Sequence, residues 1–162
     1  TLLPELAGAM EPRASGPERR LEAIESLSRK GIPVGVNVAP LIPGLNEEEI
    51  PSILRAASER GAKWASYILL RLPGPTKALF LDWLERSVPY RRSKVINAIK
   101  SLRGGQLSDP RFGSRMGGVG KRADLLRRYF QMASRACGLS GSHGKLSADR
   151  FVRRQQGQLE LF

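Results

Sequence analysis

The chain has 162 residues, a hydrophobic fraction of 41% and a formal net charge of +12. That length and apolar content suit one domain with a core of its own, and they come with no apolar run long enough to span a bilayer and no opening signal peptide. The charge is segregated: residues 1–75 carry 9 Lys and Arg against 9 Asp and Glu, whereas residues 76–162 carry 18 against 6.

A positive excess confined to one half steers a chain toward polyanions and favours phosphate contacts through counterion release. The competing reading is a solvated basic helix face. Cys137 is the single cysteine, which excludes an internal disulfide and a cysteine-built metal cage and suits a cytoplasmic protein. Its place in an apolar helical stretch gives it a packing role. His143 stands alone in a Gly/Ser loop without companions at ligand spacing and reads as a surface residue. The chain opens on Thr1 in a helix-like segment, which reads as a fragment or a processed C-terminal portion.

Ser15-Gly16-Pro17-Glu18 has the form of a capping box and predicts a helix to about Lys30, with Leu21, Ala23, Ile24 and Leu27 as its apolar stripe and Gly31 as its left-handed stop. Ile32 to Ala39 alternates Ile32, Val34, Val36 and Val38 with residues small enough for a strand covered on both faces. Asn46 with Glu49 is expected to cap the next helix, where Ile50, Ile53, Leu54 and Ala57 recur at helical spacing. Gly61 ends it, and Trp64 to Arg71 forms a second β-rich run before the Leu72-Pro73-Gly74-Pro75 break. Helix, strand, helix, strand with short links predicts parallel strands. A two-stranded sheet cannot close, so its further strands are expected from residues outside this chain or from another chain.

After Pro75 two helices are expected, Thr76 to Val88 and Arg91 to Leu102, parted by Pro89, with Leu79, Phe80, Trp83 and Leu84 apolar on the first and Val95, Ile96 and Ile99 on the second. Gly104-Gly105 stops the second. A glycine- and arginine-rich loop, Gln106 to Gly120, leads to a helix from about Lys121 to Cys137 with Leu125, Leu126, Tyr129, Phe130 and Ala133 inward. From Gly138 the composition predicts a mobile tail. The loop is not a nucleotide-binding P-loop: Arg115 stands where the first glycine is needed, Arg122 rather than Ser or Thr follows Lys121, and no strand precedes it. It reads as an exposed turn in which Arg111, Arg115, Lys121 and Arg122 and the loop amides can meet phosphates, with a helix N-terminus behind them.

Several segments carry a resemblance. Glu11-Pro12-Arg13-Ala14, Pro17 to Ile24, Gly31 to Val36, Ala39 to Asn46, Leu69 to Gly74, Arg103-Gly104-Gly105 and Arg111 to Met116 together resemble the later half of radical S-adenosylmethionine enzymes of the spore photoproduct lyase-like branch. The resemblance implies an α/β fold, with residues 1–75 as the last βα units of a partial (β/α)6 barrel; charge and composition add a basic helical extension over 76–137 and a flexible tail over 138–162. It implies three cysteines near the first strand that bind a [4Fe-4S] cluster, S-adenosylmethionine on the cluster's free iron, and a 5′-deoxyadenosyl radical that abstracts hydrogen from the substrate. None of those cysteines is in this chain. The family's adenine-side pattern Gly-x-Ile-x-Gly-x-x-Glu maps onto Pro40, Ile42, Gly44 and Glu47, with Pro40 in place of the first glycine. Pro40, Ile42 and Gly44 are therefore expected on the cofactor side, with Arg13 and Arg71 placed either to meet a carboxylate or phosphate or to serve as ordinary salt-bridge partners.

The last residues, Gln158-Leu159-Glu160-Leu161-Phe162, resemble the bacterial sliding-clamp-binding pattern Gln-Leu-Ser/Asp-Leu-Phe, departing from it in Glu160. Gln158, Leu159, Leu161 and Phe162 are the expected partner contacts, and self-packing on this protein's own helices is the rival reading. The leading expectation is a DNA-directed, repair-lyase-like radical enzyme's C-terminal portion, inactive by itself. Two rivals stand beside it: a non-catalytic DNA-binding module recruited to the clamp, and a radical enzyme acting on RNA or peptide.

Overall fold

The protein is described here from a computed structural model covering residues 1–139, 149, 151 and 152. Its elements in chain order are α1 (Pro4–Met10), α2 (Pro17–Arg29), β1 (Gly35–Leu41), a 3-10 turn (Glu47–Glu49), α3 (Ile50–Glu59), β2 (Trp64–Leu69), α4 (Thr76–Ser87), a 3-10 turn (Pro89–Arg91), α5 (Arg92–Ser101), the short α6 (Ser114–Gly117) and α7 (Lys121–Ala136). The architecture is mixed α/β around a two-stranded parallel sheet.

β1 and β2 pair in register from Gly35 opposite Trp64 to Val38 opposite Tyr67, and pairing resumes at Leu41 opposite Leu69. β1 thus holds one residue more than β2 in that interval, a bulge containing the cis Ala39–Pro40 bond. Pro40 has no N–H to give a ladder, so a bulge is where a strand tolerates it. The chain then rejoins the sheet, the Leu41 carbonyl accepting from Leu70 N at 2.9 Å. The strand expected over Ile32 to Ala39 is accordingly shifted toward its C-terminal end.

Alternation sorts the sheet into two unlike faces. Val36, Val38, Ala65, Tyr67 and Leu69 point into the main core with Leu21 and Ile24 of α2, Ile50, Ile53, Leu54 and Ala57 of α3, and Ala123, Leu126 and Phe130 of α7. The Tyr67 and Phe130 rings meet with centroids 4.8 Å apart. On the other face Asn37, Ala39 and Ser66 are exposed, and Ser66 Oγ donates to Asn37 Oδ1 at 3.1 Å. The expectation of a strand covered on both faces is corrected: α2, α3 and α7 pack on the one face and α4 and α5 at the strand ends, leaving this face open.

A second core lies at the C-terminal ends of the strands, where Ile42, Leu45, Leu70 and Leu72 meet Phe80 and Leu84 of α4 and Val95 and Ile99 of α5. Leu79, expected inward, is 66% exposed, because α4 turns only its Phe80 and Leu84 edge fully inward. On α7 the inward positions are Ala123, Leu126, Phe130 and Ser134, so Leu125 and Tyr129 face solvent instead of the core. The division at residue 75 does not separate two cores, since α7 and Leu139 share the first with both strands. Leu139 is held past the Gly138 stop by its N–H to Ser134 O at 2.9 Å, so packing extends two residues, Gly138 and Leu139, into the segment expected to be tail. His143 and Gln158 to Phe162 lie outside the described residues.

Two expected caps are replaced. Gly16, not Ser15, is the N-cap of α2, and the Ser15 carbonyl accepts from Arg20 Nε. Asn46 turns back toward β1, and the Glu49 carboxylate receives Thr1 Oγ1 and Leu2 N, each at 2.7 Å.

Candidate functional site

The C-terminal ends of parallel strands are where side chains of different βα units converge. At the exit of β1, Asn46 is 3% exposed; its Oδ1 accepts from Ile42 N at 2.7 Å and its Nδ2 donates to Pro40 O at 3.1 Å. That amide fixes the Pro40 to Gly44 turn from inside. Gly44 has φ +80°, and a Cβ there would stand 3.3 Å from Val95 Cα, so glycine allows both the left-handed turn and the close approach of α5.

This arrangement covers two of the residues expected on the cofactor side. Ile42 is fully buried in the second core and Gly44 lies under α5, so neither offers surface to a ligand here. The physical reason is the α4–α5 pair, which covers the turn with Phe80, Leu84, Val95 and Ile99. Pro40 does border a cavity of about 110 Å³, together with Asn37, Ala39, Met10, Glu11 and Arg20. Arg13 is exposed on the α1–α2 link, where Arg20 rather than Arg13 engages Glu11, at 2.6 Å. That cavity is also lined by Leu21, Ile24, Val36 and Val38, so Pro40 borders it on the α1–α2 side of β1, while Arg71 is exposed at the exit of β2.

At that second exit Arg103 is 3% exposed. Its Nη2 donates to Leu70 O at 2.6 Å, and both Nη atoms reach Arg115 O at 3.2 and 3.3 Å. Burial pulls its pKa below the ordinary guanidinium value, with the charge of Arg71 adding to that and Asp109 opposing it. Arg103 thereby ties the strand exit to the glycine- and arginine-rich loop.

The loop has an anchor of its own. The Asp109 side chain, 4% exposed, accepts from Arg111 Nε at 2.9 Å, Arg111 Nη2 at 3.1 Å, Arg111 N at 3.0 Å and Ser114 Oγ at 2.7 Å. Those hydrogen bonds, led by the Arg111 side chain and followed by Ser114, hold the carboxyl well below the usual carboxylate range. Val119 N closes the loop on Leu102 O at 2.9 Å. At its tip Phe112 is 91% exposed, with the Arg115 guanidinium 5.3 Å from the ring centroid.

The four cations expected to meet phosphate are therefore not equivalent. Arg111 is held by Asp109, and Arg122 lies 3.6 Å from Glu47. Arg115 stacks on Phe112, while Lys121 is exposed at the start of α7. Arg103, Asp109 and Phe112 were missed as site residues. Asp109-Pro110 is a turn signal in sequence, and the side-chain oxygen accepting from the N–H two residues on is the turn it announces. Nothing local marks Arg103 as the buried one among so many arginines.

Among the described residues no three His, Cys, Asp or Glu side chains are grouped to hold a metal ion. Cys137 is alone and half-buried, and the chain contains no other thiol, so these residues do not fit a [4Fe-4S] cluster. Among the described residues no helix is long and apolar enough to cross a membrane.

The chain is similar to uncharacterized proteins of Mycobacterium tuberculosis and Mycobacterium bovis, at 32% identity over 88 residues, or 53% of this chain. It spans about a quarter of their length, 26%. No protein-family model and no solved structure matches it.

Proposed function

We propose that this chain is the C-terminal portion of a radical S-adenosylmethionine protein of the spore photoproduct lyase-like branch, acting on DNA. The observation that carries the reading is the parallel β1–β2 pair with one face packed by helices and the other open and lined by Asn37, Ala39 and Ser66. A barrel wall needs such a division, because its inner face must leave room for what the barrel holds. The two exits bring Pro40 and Arg71 to the same end of the sheet, and the basic second half supplies the phosphate-directed surface.

The chain's own contribution is support and binding. Arg103 and Asp109 hold the loop at the strand exit, and Arg71, Arg115 and Lys121 remain accessible for anionic groups. The cluster and its radical chemistry belong, on this reading, to residues outside this chain.

The test is made on the full-length protein. After anaerobic reconstitution with iron and sulfide, it should release 5′-deoxyadenosine from S-adenosylmethionine, with turnover stimulated by ultraviolet-damaged DNA. No cleavage by a reconstituted protein would reject the enzyme reading. A non-catalytic DNA-binding module is the second reading, favoured by the burial of Ile42 and Gly44 beneath α5. Salt-sensitive DNA binding without S-adenosylmethionine cleavage would select it. Stimulation by RNA or peptide instead of DNA would redirect the substrate.

A further inference from the structure

At 91% exposure Phe112 is the most exposed large apolar side chain among the described residues. Hiding a phenyl ring is worth about 1.5–3 kcal/mol, so a ring left in water at the tip of a well-tied loop points to something outside the fold. The loop beneath it is tied at both sides: Asp109 takes hydrogen bonds from Arg111 and Ser114, and Arg103 grips the Arg115 carbonyl. Gly113, at φ +91°, turns the chain immediately after the ring. Phe112 is therefore held out on a braced support.

Its surroundings choose the partner. Arg115 covers one side of the ring at 5.3 Å, and the Arg111 side chain is 68% exposed even while paired to Asp109. An apolar protein interface is depleted of charge at its centre, which is the opposite of a lone phenyl with a guanidinium laid against it. A nucleobase attached to a phosphate chain matches both parts, a flat π face for the ring and anionic oxygens for the cations.

We propose that Phe112 is a base-stacking residue that takes an unstacked DNA base on its open face, with Arg115 behind the ring and the neighbouring phosphates drawn to the Arg115 guanidinium. The inference rests on the DNA reading above and adds to it a specific contact with unpaired or distorted strand rather than with intact duplex.

The experiment compares the full chain's affinity for a labelled oligo-dT strand and for an abasic strand of equal length, which keeps the phosphates and lacks the bases. The native protein should prefer the base-bearing strand by about tenfold. Phe112→Ala should lose that preference and keep the salt dependence, and Phe112→Trp should restore it; unchanged melting temperatures are expected because the ring contributes no burial. Equal binding of the two strands by the native protein, or an undiminished preference in Phe112→Ala, overturns the stacking role and leaves the DNA reading standing. Failure to bind either strand at low salt overturns both. Tighter binding of oligo-U than of oligo-dT overturns the assignment to DNA.

Discussion

Arg103 donates to the Leu70 carbonyl across 2.6 Å from a side chain almost wholly removed from water, and the same guanidinium reaches Arg115 O. One residue thus joins the end of β2 to the loop that carries Phe112. Arg103→Met would leave two carbonyls without their donor and should destabilise the fold by about 2 kcal/mol or more. Arg103→Lys should recover little, since an ammonium cannot span two carbonyls as a planar fork does. Urea unfolding measures both, and native stability in the lysine variant would contradict the bracing role.

Asp109 sets an acid limit on the loop. Its folded pKa lies below the value of about 3.9 of an unfolded aspartate, so its contribution is complete above the unfolded pKa and is lost as pH falls through the folded one. Stability should decline below about pH 4, and Asp109→Asn should be weaker at neutral pH and show a flatter acid limb. Urea midpoints collected from pH 7 downward compare the two, and parallel curves would count against this role.

Gly35 has no room for a side chain. A Cβ there would lie 2.0 Å from Trp64 Nε1, so Gly35→Ala must displace the indole from its place across β1. A cost of about 1–3 kcal/mol is expected, with a shift in tryptophan emission. Unchanged emission and stability would mean that the ring does not rest there.

Salt dependence distinguishes the free cations from the paired ones. Lys121→Ala should lower the slope of log affinity against log salt by about 0.9 if it meets a phosphate in duplex DNA. Arg122→Ala should do less, because Glu47 already attends that charge at 3.6 Å. Equal effects at both positions, measured by anisotropy titration, would show that the ion pair does not matter to binding.

The terminal peptide is proposed to bind the bacterial sliding clamp. A peptide covering Val152 to Phe162 should do so with a dissociation constant of about 1 μM, and Leu161→Ala or Phe162→Ala should each cost about 2 kcal/mol. Equal binding by all three peptides, or none by the native one, would remove the clamp as a partner.

The sequence alone determined the longer elements and their order, but not the short α6 inside the segment read as a loop. Periodicity placed Ile50, Ile53, Leu54 and Ala57 on the buried side of α3, and Gly31, Gly61 and Gly138 marked the ends of three helices, because helical spacing and left-handed stops are local properties. The short βα links likewise implied the parallel pairing of β1 with β2. Only tertiary structure decided which apolar residues are covered: Leu125 and Tyr129 of α7 share its apolar stripe with Leu126 and Phe130, yet face water, since the packing of α3 and the sheet selects one narrow face. It also buried Ile42 and Gly44 under α5, turned Asn46 from a helix cap into a brace for the strand exit, and enclosed Arg103 among exposed arginines. The covering of Ile42, Gly44 and Arg103 depends on contacts between residues distant in the chain, which the order of residues around any one of them does not contain.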